Sequence, residues 1–91
     1  MPLRPADMSV KCRVLLEARV NGYSVCYRRV KAVNELVIDG QVYAERKGIW
    51  EPAHKLQAKK GGNLIEAGFH ASGYSYIRLN DRTVKQKRRW F

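Results

Sequence analysis

Val10, Cys12, Val14, Leu16, Ala18 and Val20 occupy every second position, separated by Lys11, Arg13, Leu15, Glu17 and Arg19. A period of two predicts a half-buried strand, because a helix repeats its apolar positions every three to four residues. Asn21-Gly22 follows at once. Both residues tolerate positive φ, which a two-residue hairpin turn requires. Folding the chain there sets Val20 opposite Tyr23, Ala18 opposite Val25 and Leu16 opposite Tyr27. The two apolar faces then coincide, as a correct register demands.

The same signal recurs three times. Leu36-Val37-Ile38 leads into Asp39-Gly40, and folding there sets Leu36 opposite Tyr43. Leu56 and Ala58 lead into Gly61-Gly62, with Ile65, Ala67 and Phe69 returning. Ile77 and Leu79 lead into Asn80-Asp81, and Val84 returns opposite Ile77. Four hairpins and eight short strands predict an all-β domain. An internal repeat strengthens this: residues 36–50 overlay 77–91 at an offset of 41, matching apolar positions, turn residues and the terminal aromatic. Each half, about 9–50 and 51–91, is then a four-stranded meander. Two meanders bury one face each as a β-sandwich or close into a small barrel. Residues 1–8 carry two prolines and no periodicity, and read as a flexible arm ahead of a single domain over 9–91.

The run Leu36-Val37-Ile38-Asp39-Gly40, the Trp50 region and the stretch from Leu56 through Gly61-Gly62 to Ile65-Glu66-Ala67-Gly68 resemble the Fas apoptotic inhibitory molecule family. The resemblance covers residues 36–84 and rests on hairpin motifs. It implies a β-sandwich and a non-enzymatic protein-binding role, and it carries no functional residue across.

Composition narrows the function. At 91 residues with 45% apolar side chains the chain suits one modest core. No stretch approaches a membrane span or a secretory leader. Two cysteines make no disulfide scaffold, so a cytoplasmic protein is expected. Cys12 falls on the apolar face and Cys26 on the other, and neither has metal-ligand spacing with His54 or His70. The carboxylates are scattered among basic strands or sit in turns, so no catalytic constellation, metal site or cofactor cradle is expected.

Charge is the distinctive feature. Eighteen Lys+Arg against 8 Asp+Glu give +10. Residues 1–46 hold 8 basic and 5 acidic side chains, net +3; residues 47–91 hold 10 and 3, net +7. Folding at Asn80-Asp81 sets Arg78 opposite Thr83, Tyr76 opposite Lys85 and Tyr74 opposite Lys87. One face of the last hairpin would then carry Tyr74, Tyr76, Arg78, Lys85, Lys87 and Arg89, with Ile77, Leu79 and Val84 behind it. Cations neutralise phosphates and aromatic rings stack on bases, so this surface is expected to bind nucleic acid or a nucleoprotein. Arg78, Arg82, Lys85, Lys87, Arg88 and Arg89 would meet phosphates, with Tyr74 and Tyr76 as stacking surfaces. Lys11, Arg13, Arg19 and Arg28 form a second basic face on the first hairpin, where Arg29 opposite Val14 predicts a bulge near Arg28-Arg29. Trp90 is either a closing plug or an exposed anchor. The alternative reading is a protein-interaction module, such as a phage- or mobile-element-type inhibitor docking on a nucleic-acid-handling complex. Oligomeric state is open.

Overall fold

In the computed structural model, which describes residues 2–47 and 54–88, the described chain is all strand and turn. The strands are β1 (Arg4–Pro5), β2 (Arg13–Val20), β3 (Tyr23–Val30), β4 (Val33–Ile38), β5 (Gln41–Lys47), β6 (His54–Lys60), β7 (Asn63–Phe69), β8 (Tyr74–Leu79) and β9 (Arg82–Arg88). They form two antiparallel sheets, ordered β1-β5-β4-β3-β2 and β6-β7-β8-β9. Both sheets keep free edges, so the expected sandwich holds and the barrel does not form. Strand β2 lies against β8 and β9, while β4 and β5 lie against β6.

All four predicted turns have positive φ at both central residues: Asn21-Gly22, Asp39-Gly40, Gly61-Gly62 and Asn80-Asp81. That geometry matches the right-handed twist of the flanking strands. The turns of the first and third hairpins meet the second at one end of the molecule. There Lys60 Nζ donates to Tyr43 Oη at 2.8 Å and lies 5.5 Å from the centre of the Tyr23 ring.

The inner faces meet over Leu16, Val20, Val25, Tyr27, Leu36 and Ile38 from one sheet and Leu56, Ile65, Ala67, Phe69 and Ile77 from the other. Tyr27, Leu36, Ile38, Ile65 and Ile77 are fully buried. The first and third hairpins have the expected registers beside their turns, Leu16↔Tyr27 and Leu56↔Ala67. The repeat extends to hydrogen bonds. Asp39 N donates to Ser24 O and Ser24 N to Asp39 Oδ1, both 2.8 Å; Asn80 N donates to Leu64 O and Leu64 N to Asn80 Oδ1, again 2.8 Å.

Three expectations are corrected by β-bulges, each an extra residue that turns the rest of its strand over. In β5, Tyr43 is the extra residue, and Leu36 faces Ala44 instead. In β9 it is Val84, so Ile77 faces Lys85, and Val84 is 43% exposed rather than core. These two bulges occupy equivalent places at the 41-residue offset. In β2 the extra residue is Leu15, so the predicted bulge exists on the opposite strand from Arg28-Arg29. Cys12 and Val14 consequently leave the core side and are exposed. Within the arm, Arg4 and Pro5 pair with Val42 and Gln41 as the short edge strand β1.

One row on the outer face of the first sheet is closed by charge pairing. Arg28, Glu35 and Glu45 stand in one cross-strand row. Arg28 Nε donates to Glu35 Oε1 at 2.8 Å, and Arg4 Nη2 donates to Glu35 Oε2 at 2.9 Å and Glu45 Oε1 at 2.7 Å. Arg28 is 3% exposed and Glu35 5%. Arg28 is therefore a buried structural charge, not part of an open basic face.

Candidate nucleic-acid interface

Strand alternation and the β9 bulge together decide what the second sheet displays. Lys55, Gln57 and Lys59 of β6 share its outer face with Leu64, Glu66 and Gly68 of β7, because Lys55 pairs with Gly68, Gln57 with Glu66 and Lys59 with Leu64. Tyr76 and Arg78 of β8 follow on the same face, opposite Gly68 and Glu66. Beyond them lie Gln86, paired with Tyr76, Thr83, paired with Arg78, and Arg88, paired with Tyr74. The structure thus keeps Tyr74, Tyr76, Arg78 and Arg88 together. It separates Lys85 and Lys87 from them, against the expected pairs Tyr76–Lys85 and Tyr74–Lys87: Lys85 and Lys87 share the inward side with Ile77 and Ser75. Arg82, opposite Leu79, is also on that side. Arg89 and Trp90 lie outside the described residues.

The inward-side cations of β9 remain accessible because this strand is a sheet edge. All seven of its residues are exposed. Lys85 Nζ donates to the main-chain oxygen of Glu17 at 2.8 Å, which ties the free edge of β2 to that of β9. Charges on edge strands also discourage pairing with another sheet.

The aromatic components differ in availability. Tyr76 is 4% exposed. His70 stacks on it, with centroids 4.6 Å apart and planes 22° apart, and Arg78 Cζ lies 4.9 Å from its centre. Burial, followed by the charge of Glu66, raises the phenol's pKa, with Arg78 opposing. Tyr76 is thus a buried platform beneath Arg78 rather than a ring ready to stack. Tyr74 is half-buried, with Arg88 Cζ 5.4 Å from its centre. Glu66 is directly opposite Arg78 but accepts from Gln57 Nε2 at 3.0 Å instead. Among the described residues no ion pair involves a β8 or β9 cation.

Lys55 and Lys59 were not singled out by sequence reasoning. Their signal was the alternation Lys55-Leu56-Gln57-Ala58-Lys59, which puts both lysines on the face away from Leu56. On the opposite side of the sheet, His54 is 7% exposed and packs edge-on to Phe69, with Tyr27 Oη 2.6 Å from its Nε2. It belongs to the core. Among the described residues no group of three or more His, Cys, Asp or Glu side chains is placed to hold a metal ion.

This arrangement is a two-sheet β-domain with a charge-paired row on one outer face and a group of cations without ion pairs among the described residues on the other. Comparison with protein-family models, curated proteins and solved structures returns no match.

Proposed function

We propose that the protein is a non-catalytic binding module that holds nucleic acid on the outer face of its second sheet and along β9. The observation that carries this reading is the contrast between its two outer faces. On the outer face of the first sheet, Arg28 and Arg4 are paired with Glu35 and Glu45, leaving Arg19 and Lys47 at its margins. The cations of the second, Lys55, Lys59, Arg78 and Arg88, form no ion pair among the described residues, and Arg82, Lys85 and Lys87 extend the charge along the adjacent edge. A protein with a strong single-sign excess attracts polyanions before any specific contact is made. The guanidinium groups of Arg78 and Arg88 lie against tyrosine rings at the sheet surface, where their forks suit phosphate contact. Tyr74 supplies the available stacking edge, and Tyr76 supports Arg78.

A salt titration with a mixed-sequence single strand tests this. Four phosphate contacts give a slope of about −2.8 in log K against log salt, or roughly a 50-fold loss between 50 and 200 mM. Lys55→Glu/Arg88→Glu should flatten that slope while the protein stays folded. Absence of binding at the lower salt concentration would refute the proposal. A protein partner captured equally well after nuclease treatment would favour the interaction-module reading instead.

A further inference from the structure

The Leu15 bulge has placed two arginines face to face. Because it turns the start of β2 over, Arg13 stands directly opposite Arg29 on the inward side of the first sheet. Like charges in direct cross-strand register are destabilising, and residues so paired have Cα atoms about 4.5–5.5 Å apart. Without the bulge Arg13, which is exposed at this edge, would lie on the other face and away from Arg29. The fold nevertheless keeps the pair.

Arg29 is also held rather than loose. Its Nε donates to Asn34 Oδ1 at 3.0 Å. Asn34 is fully buried and lies 3.4 Å, through Nδ2, from Nε2 of the core His54. The guanidinium is therefore oriented from below by a rigid side chain. Its Nη2 is buried and has no hydrogen-bond partner among the described residues. A charged donor left in that condition is costly, and in native proteins such groups are completed by a water, an ion or a ligand. No ion pair among the described residues involves Arg13 or Arg29. Ser75 and Lys87, which pair on the inward side of the second sheet, are a hydroxyl and a cation, not a carboxylate.

We propose that Arg13 and Arg29 form a binding site for a phosphate-type oxyanion, with Asn34 as its positioning residue. A tetrahedral dianion offers several acceptor oxygens and cancels both charges. Guanidinium forks match that geometry, whereas an ammonium supplies only a point charge. The site lies at the end of the sandwich opposite the four tight turns, on the inward side of the sheet, and is separate from the outer face proposed for nucleic acid.

Inorganic phosphate is the probe, compared with chloride at equal ionic strength by calorimetric titration and thermal unfolding. Phosphate at a hundred times its dissociation constant should raise the unfolding midpoint by roughly 11–22 °C. Arg29→Lys keeps the charge and loses the fork, and should weaken phosphate binding at least tenfold. Arg13→Glu should raise the midpoint without phosphate, by converting a repulsive pair into an attractive one, and abolish the phosphate response. A phosphate response no larger than that of chloride overturns the proposal. So does a response that survives both substitutions. Competition by a 5′-phosphorylated oligonucleotide beyond that of its dephosphorylated form identifies a nucleic-acid end as the source of the anion; equal competition identifies small phosphate compounds. Either result supports the site when both variants lose it. Failure of oligonucleotide binding at the outer face, with the phosphate response intact, separates this inference from the proposed function.

Discussion

Replacing Glu35 by alanine probes the charge row on the first sheet. Glu35 accepts from both Arg28 and Arg4, and with Arg28 it is nearly inaccessible to water. Removing the carboxylate leaves the Arg28 guanidinium buried, with the soft acceptors Met8 Sδ and Cys12 Sγ at 3.9 Å as remaining neighbours. Burial alone pulls the guanidinium's pKa down; the hydrogen bond and charge of Glu35 outweigh it and carry the pKa above its ordinary value. Breaking a buried pair from one side costs about 3–5 kcal/mol, a large part of the ~5–15 kcal/mol that holds a domain together. At roughly 4–8 °C per kcal/mol, the unfolding midpoint should fall by at least about 12 °C. Urea denaturation followed by tryptophan fluorescence and circular dichroism would give the free energy. The double substitution Arg28→Met/Glu35→Leu removes both charges and should recover most of the loss. A Glu35→Ala loss below about 1 kcal/mol, the range of a surface pair, would refute the argument.

Gly68→Ala should destabilise the protein by about 1–3 kcal/mol, measured by the same denaturation, because overpacking has no room to relax here. An added Cβ meets the main-chain oxygen of His54 and lies 2.8 Å from Lys55 Cα, both backbone atoms. Thiol chemistry should separate the two cysteines: burial first, then the charge of Glu17, pushes Cys26 up from 9.0 to about 11. Alkylation near pH 8 followed by mass mapping should therefore modify exposed Cys12 well before Cys26. Because the folded state holds that proton more tightly than the unfolded one, the associated stability is present below pH 9 and lost as pH rises through about 11.

The fold was legible wherever short-range rules suffice. Asn21-Gly22 and Gly61-Gly62 fix turn geometry locally, and alternation beside them specifies the inward face. Legibility ends at the bulges, because one inserted residue reverses a face without changing local propensity. Arg29 opposite Val14 registered as a conflict in the sequence. A bulge on β3 would have turned Arg29 outward; the bulge lies on β2 instead, which turns Val14 outward and leaves Arg29 inward opposite Arg13. The same mechanism at Val84 moved Lys85 and Lys87 away from the tyrosines. One further signal was present but weak: Val30-Lys31-Ala32-Val33 is itself a tight connection, and folding there aligns Arg28 with Glu35. Lys31 lacks the glycine or asparagine that advertises such a turn, although its φ is +56°.

The two halves share a skeleton down to the equivalent bulges at Tyr43 and Val84, yet they divide tolerance to change unequally. In the first sheet, each charge of the outer row is committed to its neighbours, so altering one demands a compensating change in another. In the second, Lys55, Lys59 and Arg88 project from positions whose packing is already complete. They can be exchanged singly, one side chain at a time, without reopening the core. One copy of the repeat thus acts as fixed support, and the other leaves a surface whose side chains are free to change.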